Sequence, residues 1–222
     1  MIINNGGIAK TTDFTAEGLK TYEVAALCKE GVIERICRGF YQLPNSNQIT
    51  EEKLIQELLP QGIICVESAL FHYGYSDFAP RKWSVAVPRT ASRAVKKIGE
   101  FPIKAYYIQK DFLQIGKSVD DFNGMELAVY DRERTICDCF KYRTKLDSEI
   151  FNKAVNAYVV DGNKNLTNLS KYAKESGKSY QLYLQLFCQE EFLRRLERSK
   201  YAENLVLKGG LFIYLLPTLT VA

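Results

Sequence analysis

The chain has 222 residues, 46% hydrophobic and 25% charged, and 30 basic against 26 acidic side chains leave a net charge of +4. This balance excludes a disordered or fibrous chain and accommodates one large domain or two small ones. The charge permits a nucleic-acid partner without demanding one, so any footprint must be a local patch. Six cysteines (Cys28, Cys37, Cys65, Cys137, Cys139 and Cys188) lie scattered, mostly within apolar runs. With no signal peptide in view, they point to reduced core thiols of a cytoplasmic protein. Cys137-x-Cys139 has no second pair, and His72 is the only histidine, so neither a metal centre nor a cofactor is expected. No apolar run reaches the ~20 residues that span a bilayer, so no membrane partner is expected.

The first stretch with a distinct pattern runs from Ile8 to Pro44. Ile8 to Phe14 predicts a short helix closed by Gly18. Thr21 is the expected N-cap of a second helix, with Ala25, Ala26 and Leu27 as its apolar stripe and Gly31 as the C′ residue that ends it. Val32, Ile33 and Ile36 then predict one strand and Phe40, Tyr41 and Leu43 the next, with Arg38-Gly39 at the bend and Pro44 as the stop. Two helices followed by a ribbon carrying Arg35 and Arg38 describe a winged helix-turn-helix. In that arrangement Lys20, Thr21, Tyr22 and Glu23 face base edges while the arginines stand beside phosphates. The competing expectation is a small packing unit whose arginines are merely solvated. The five residues MIINN before Gly6 are short for the helix that normally underlies this motif, which implies a reduced first helix or a start further upstream.

Thr50 to Leu59 predicts a capped helix burying Leu54, Leu58 and Leu59, broken by Pro60-Gln61-Gly62. Ile63 to Tyr73 reads as one buried helix, and Lys82 to Pro88 as a strand. Arg89 to Lys97 is strongly basic. Arg81, Lys82, Arg89, Arg93, Lys96 and Lys97 form either a solvated connection or a second surface for phosphates or RNA. Two further strands are expected at 103–108 and 125–130, joined by a loop in which Asp120-Asp121 signals a turn. Asp131 opens a helix in which Arg134 and Asp138 stand four apart, a pair worth a few tenths of a kcal/mol if exposed. Two more helices, Ser148–Val160 and Leu166–Lys174, flank a turn at Asp161-Gly162-Asn163. His72 has no serine or cysteine at a triad spacing, so it reads as a packed helix residue. The fold class is α+β: an N-terminal winged helix-turn-helix followed by a mixed α/β domain.

Taken in order, the segments GGIAKTTDF, GLKTYEVAALCKEGVIERICRGFYQLP, ICVESALFHYGYSDFAPRKWSVAVPR, VYDRERTICDCFKYRTKL and LTNLSKYAKE resemble the AbiEi family of antitoxins from bacterial type IV toxin–antitoxin and abortive phage infection systems. The likeness covers roughly residues 1–178. It implies a DNA-binding head over 1–47, an antitoxin domain over 48–178, and no enzymatic activity. It further implies repression through inverted repeats in the operon's own promoter, and functional neutralisation of a nucleotidyltransferase toxin without a tight complex. Carried onto this chain, the readout falls on Lys20, Thr21 and Tyr22, with Arg35 and Arg38 on the wing.

Residues 179–222 instead resemble the start of the partner toxin, with Lys208-Gly209-Gly210 as a remnant of its nucleotide loop. No aspartate follows Gly210, so the carboxylates that would hold a metal there are missing, and a truncated or frameshifted fusion without catalysis is expected. An ordinary C-terminal helix and apolar strand is the other reading of this tail. For the whole chain the alternatives are an interaction module that does not bind DNA, or a nucleotidyltransferase or nuclease.

Overall fold

Alternating burial builds the first sheet. In the computed structural model, which describes residues 2–3, 5–44, 49–99, 101–175, 188, 192, 195–201 and 204, the chain opens with β1 (Ile8–Lys10), α1 (Thr11–Ala16), α2 (Thr21–Lys29), β2 (Glu34–Cys37) and β3 (Phe40–Gln42). β3 lies between the other two strands and runs antiparallel to both. The expected helix over Ile8–Phe14 is thus a strand for its first three residues. Ile8 packs with Leu54 and Ile55, whereas Ala9 packs with Phe14 and Val24. Only an extended chain sends successive side chains into two different cores.

Val32 and Ile33 are not in the strand either, because they finish the preceding helix. Gly31 has φ of 72°, and Val32 N–H reaches back to the Leu27 carbonyl at 3.0 Å while Gly31 N–H reaches Cys28 at 3.3 Å. That pair of bonds is a Schellman motif, which satisfies carbonyls the helix end leaves open.

The second sheet follows α3 (Glu51–Leu58), whose Thr50 cap accepts from Lys53 N–H at 3.4 Å as expected. It comprises β4 (Ile63–Ile64), then α4 (Val66–His72), β5 (Trp83–Pro88), α5 (Ser92–Ile98), β6 (Ile103–Ile108), α6 (Lys110–Leu113), β7 (Lys117–Phe122) and β8 (Met125–Tyr130). The strand order is β6-β5-β4-β8-β7. β4 pairs antiparallel with β5 and parallel with β8. The sequence reading missed two of these strands. Ile63, Ile64 and Cys65 are buried without interruption, as a central strand requires, so periodicity could not separate them from the helix that follows. The predicted loop before Met125 contains β7, an exposed edge strand, and Asp120-Asp121 lies on it rather than in a turn. Gly62 makes the close approach before β4 feasible: a Cβ there would sit 2.7 Å from Val85 Cγ1 and 2.9 Å from the Leu59 carbonyl.

The chain divides into one compact unit through Asp131 and a second from Arg132. The first holds both sheets, so the sequence boundary at residue 47 does not coincide with this division. Ile8 and Cys37 of the small sheet share a hydrophobic cluster with Leu54, Ile55 and Leu58 of α3.

The second unit contains α7 (Arg132–Lys141), α8 (Ser148–Val160) and α9 (Leu166–Glu175). Its core includes Phe140 packed edge-on against Phe151. Glu133 is buried and accepts from the Tyr158 hydroxyl at 3.1 Å and from Asn165 N–H at 2.7 Å, joining α7 to α8 and to the approach to α9.

The i, i+4 pair of Arg134 and Asp138 is buried, so the value that holds for an exposed pair does not apply. Their side chains are 4% and 3% exposed and 3.4 Å apart. Burial pushes the Asp138 carboxyl above its ordinary pKa, outweighing the pull of Arg134 and Lys141. A carboxyl raised in this way keeps its proton to higher pH in the folded chain than in the unfolded one. Its contribution to stability is therefore full below the ordinary value of about 4 and is lost as pH rises through the folded value. Asp138→Asn cannot ionise. The difference in urea midpoint between variant and natural chain should shift in the variant's favour as pH rises above about 4 and stay flat below it. A difference independent of pH would contradict the assigned direction.

Candidate nucleic-acid interface

The front of α2 is held by a carboxylate rather than by the expected threonine. Lys20 is the N-cap residue, and its backbone N–H donates to Glu23 Oε2 at 2.6 Å. One oxygen of Glu23, which the sequence reading had facing base edges, thus closes the helix start. The same device recurs one helix earlier, where Lys10 N–H donates to Asp13 Oδ2 at 2.8 Å.

With the start fixed, the helix turns Val24 into the core, with Leu27 and Cys28 packed partly against it. Ala25 and Ala26, expected as the buried stripe, are exposed instead. The correct signal was the i, i+3, i+4 spacing of Val24, Leu27 and Cys28. Lys20, Thr21 and Tyr22 are all exposed, Tyr22 by 64%. The Lys20 ammonium lies 5.9 Å from the centre of the Tyr22 ring. The outward face thus runs Thr21, Tyr22, Ala25, Ala26 and Lys29, with Lys20 at its front, so that a cation stands at each end and two alanines between. The sequence reading missed Ala25, Ala26 and Lys29.

The hairpin is set beside α1 by its turn. Gly39 has φ of 89°, and its carbonyl accepts from Thr11 N–H at 2.9 Å. Arg38, next to it in the turn, is exposed and has no ion-pair partner among the described residues. Arg35 is exposed too, but its Nε donates to the Cys37 carbonyl at 3.3 Å, which draws the guanidinium along its own strand. Burial pushes the Cys37 thiol pKa up, against the opposing effect of Arg35, so this sulfur behaves as a core group rather than a reactive one.

Arg81, Lys82, Arg89, Arg93 and Lys96 are all exposed. Arg93 and Lys96 are three apart on α5, on neighbouring positions of one face. Arg89 precedes that helix, and Arg81 and Lys82 precede β5. The Lys97 side chain and the whole of Lys208, Gly209 and Gly210 lie outside the described residues. On β6, burial lowers the pKa of Lys104, yet hydrogen bonds to Glu67 and Tyr106 outweigh this and leave it raised. The Lys104–Glu67 contact is 2.9 Å, so this lysine is internally paired and not part of a basic surface.

Residues 2–44 match the family described as "Transcriptional regulator, AbiEi antitoxin". The matched segment is the helix pair and hairpin just described, from the residues before β1 to Pro44. It supports the regulator and antitoxin reading of this head. No curated protein matches the chain. Among the described residues no helix is long and apolar enough to cross a membrane.

Removing the carboxylate that closes α2 isolates its contribution. Glu23→Ala should cost about 1 kcal/mol, the typical value of an N-terminal cap, read as a lower urea midpoint. Glu23→Gln, which retains an acceptor, should lose less. Equal losses for the two variants would show that the bond to Lys20 N–H is not what stabilises the helix start.

Proposed function

We propose that the chain is a DNA-binding transcriptional repressor and antitoxin of a type IV toxin–antitoxin system. Its first 44 residues act as a winged helix-turn-helix on promoter DNA. The observation that carries this reading is the outward face of α2. Its exposed residues are small or polar, bounded by Lys20 and Lys29, and the same head carries the unpaired Arg38 on a hairpin turn.

Each feature has a physical role on a duplex. Two alanines allow the helix backbone to come close to base edges and offer methyl groups to thymine. Thr21 and Tyr22 supply the hydroxyls that discriminate between bases, and Lys20 anchors the helix start on a phosphate. Arg38 touches backbone phosphate beside the groove, as does Arg35 once its bond to the Cys37 carbonyl is exchanged. Arg81, Lys82, Arg89, Arg93, Lys96 and Lys97 extend the electrostatic footprint beyond the head. The match to a regulator and antitoxin family over residues 2–44 supports this reading. Inverted promoter repeats and a nucleotidyltransferase toxin as functional partner belong to the same proposal, as the AbiEi resemblance of the sequence implies, and the scattered cysteines suit a cytoplasmic setting.

Gel shifts with DNA from upstream of the gene provide the test. Arg38→Ala should weaken binding to every sequence alike and reduce the slope of log affinity against log salt by about one. Thr21→Ala or Tyr22→Ala should change which site is preferred, at ~1–3 kcal/mol for each base interaction removed. A natural chain that binds its own upstream DNA no better than a scrambled duplex would refute the proposal.

A further inference from the structure

A second concave site lies on the first unit, with chemistry opposite to that of the head. α3, α4, β5 and the β7–β8 hairpin enclose a cavity of about 380 Å³. Its aromatic lining is Phe71, Trp83 and Phe122, and its carboxylates are Glu51, Glu52 and Asp121.

The hydrogen bonds of these carboxylates leave charge to spare. Glu51 Oε2 accepts from Trp83 Nε1–H at 2.6 Å. Glu52, only 7% exposed, accepts from Asn123 Nδ2–H at 2.7 Å. Asp121 Oδ1 accepts from Gly124 N–H at 3.1 Å. Every one of these donors is neutral, and no lysine or arginine among the described residues pairs with any of the three. The remaining wall is fixed as well: His72 stacks on Phe122 at 4.0 Å and holds Asp120 at 3.0 Å.

We propose that this cavity binds a guanidinium-bearing ligand, with the cation lodged between the aromatic walls and the Glu51 and Asp121 carboxylates. A flat cation satisfies both halves of the lining. It stacks on aromatic faces, and its forked N–H donors match carboxylate oxygens. A metal ion fits poorly, because it needs a closed shell of oxygen donors and Phe71, Trp83 and Phe122 take up part of this wall. Anions, nucleic-acid phosphates included, are repelled. The inference is independent of the DNA-binding reading, since no residue of the head lines the cavity.

Trp83 is the only tryptophan in the chain, so its fluorescence reports on the site directly. N-acetyl-arginine amide, which mimics arginine within a polypeptide, should change the emission saturably, with half-saturation on the order of 1 mM for a ligand of this size. The neutral isostere N-acetyl-citrulline amide should have no saturable effect. Agmatine in parallel separates the two sources of the group: a tighter fit for the blocked amino acid assigns the site to a protein side chain, and a tighter fit for agmatine to a free small molecule. Either order supports guanidinium recognition.

The double variant Glu51→Gln, Asp121→Asn retains the acceptors for Trp83 and Gly124 but removes two charges, and should weaken binding about tenfold or more. An unchanged emission maximum for the unliganded variant checks that the Trp83 environment survives. Three results would each overturn the proposal: equal responses to arginine and citrulline amides, no saturable response up to roughly 20 mM, or full binding by a correctly folded double variant.

Discussion

The head depends on one three-residue strand that is paired along both edges. Phe40–Gln42 takes β1 on one side and β2 on the other, so its backbone groups are used in both directions. β1 leads directly into α1, and β2 follows closely on the end of α2. A shift of register at β3 would move the helices and the hairpin together and turn Tyr41 and Phe40 onto the wrong faces. Tyr41 packs edge-on against Phe14 of α1 at 5.5 Å, while Phe40 packs toward the cluster that contains Leu54. The sheet thus packs against helices on one face and toward α3 on the other, while Glu34 and Arg35 on β2 stay exposed. The bond from Thr11 to the Gly39 carbonyl adds a third restraint at the turn. The position of the Arg38 turn relative to α1 is therefore set by the backbone.

Helix ends were among the more legible features, because their chemistry is local. Gly18, Gly31 and Gly74 each end a helix with the same pair of reversed bonds, and each adopts a positive φ. Glycine tolerates that conformation without a Cβ penalty. The starts of α1 and α2 were less legible. Both use an acidic residue at the third position and a lysine at the cap, so a search for threonine as the cap placed α2's start one residue late. The identity of the buried face failed for a related reason. Two alanines beside a leucine look apolar, but Val24 with Leu27 and Cys28 buries more surface per turn, and the area removed from water decides which face turns inward.

Strands without alternation were the least legible elements. Ile63–Ile64 is buried on both faces and too short for its period to register, whereas Lys117–Phe122 is exposed at five of its six positions. The first owes its place to pairing with Val85, Ala86 and Val129, and the second to its ladder with β8. Neither cause is visible within the segment itself. The same holds for α7, where Glu133, Arg134 and Asp138 are buried although a helix of this composition reads as solvated. Glu133 is retained there by donors arriving from sequence positions 25 and 32 residues away. Side chains with such distant partners cannot be placed from neighbours alone.

The net charge of +4 illustrates how little a sum conveys about surfaces. On the first unit, exposed cations gather on the head and along 81–96, while Glu51, Glu52 and Asp121 converge on a cavity that no lysine or arginine lines. Arg81 and Lys82 follow directly on Pro80, which lines that cavity, yet neither of them lines it. At physiological ionic strength exposed charges are screened beyond ~8 Å, so each of these groups responds mainly to its own surroundings. One small α+β unit therefore carries exposed cations on its surface and carboxylates in a cavity at once.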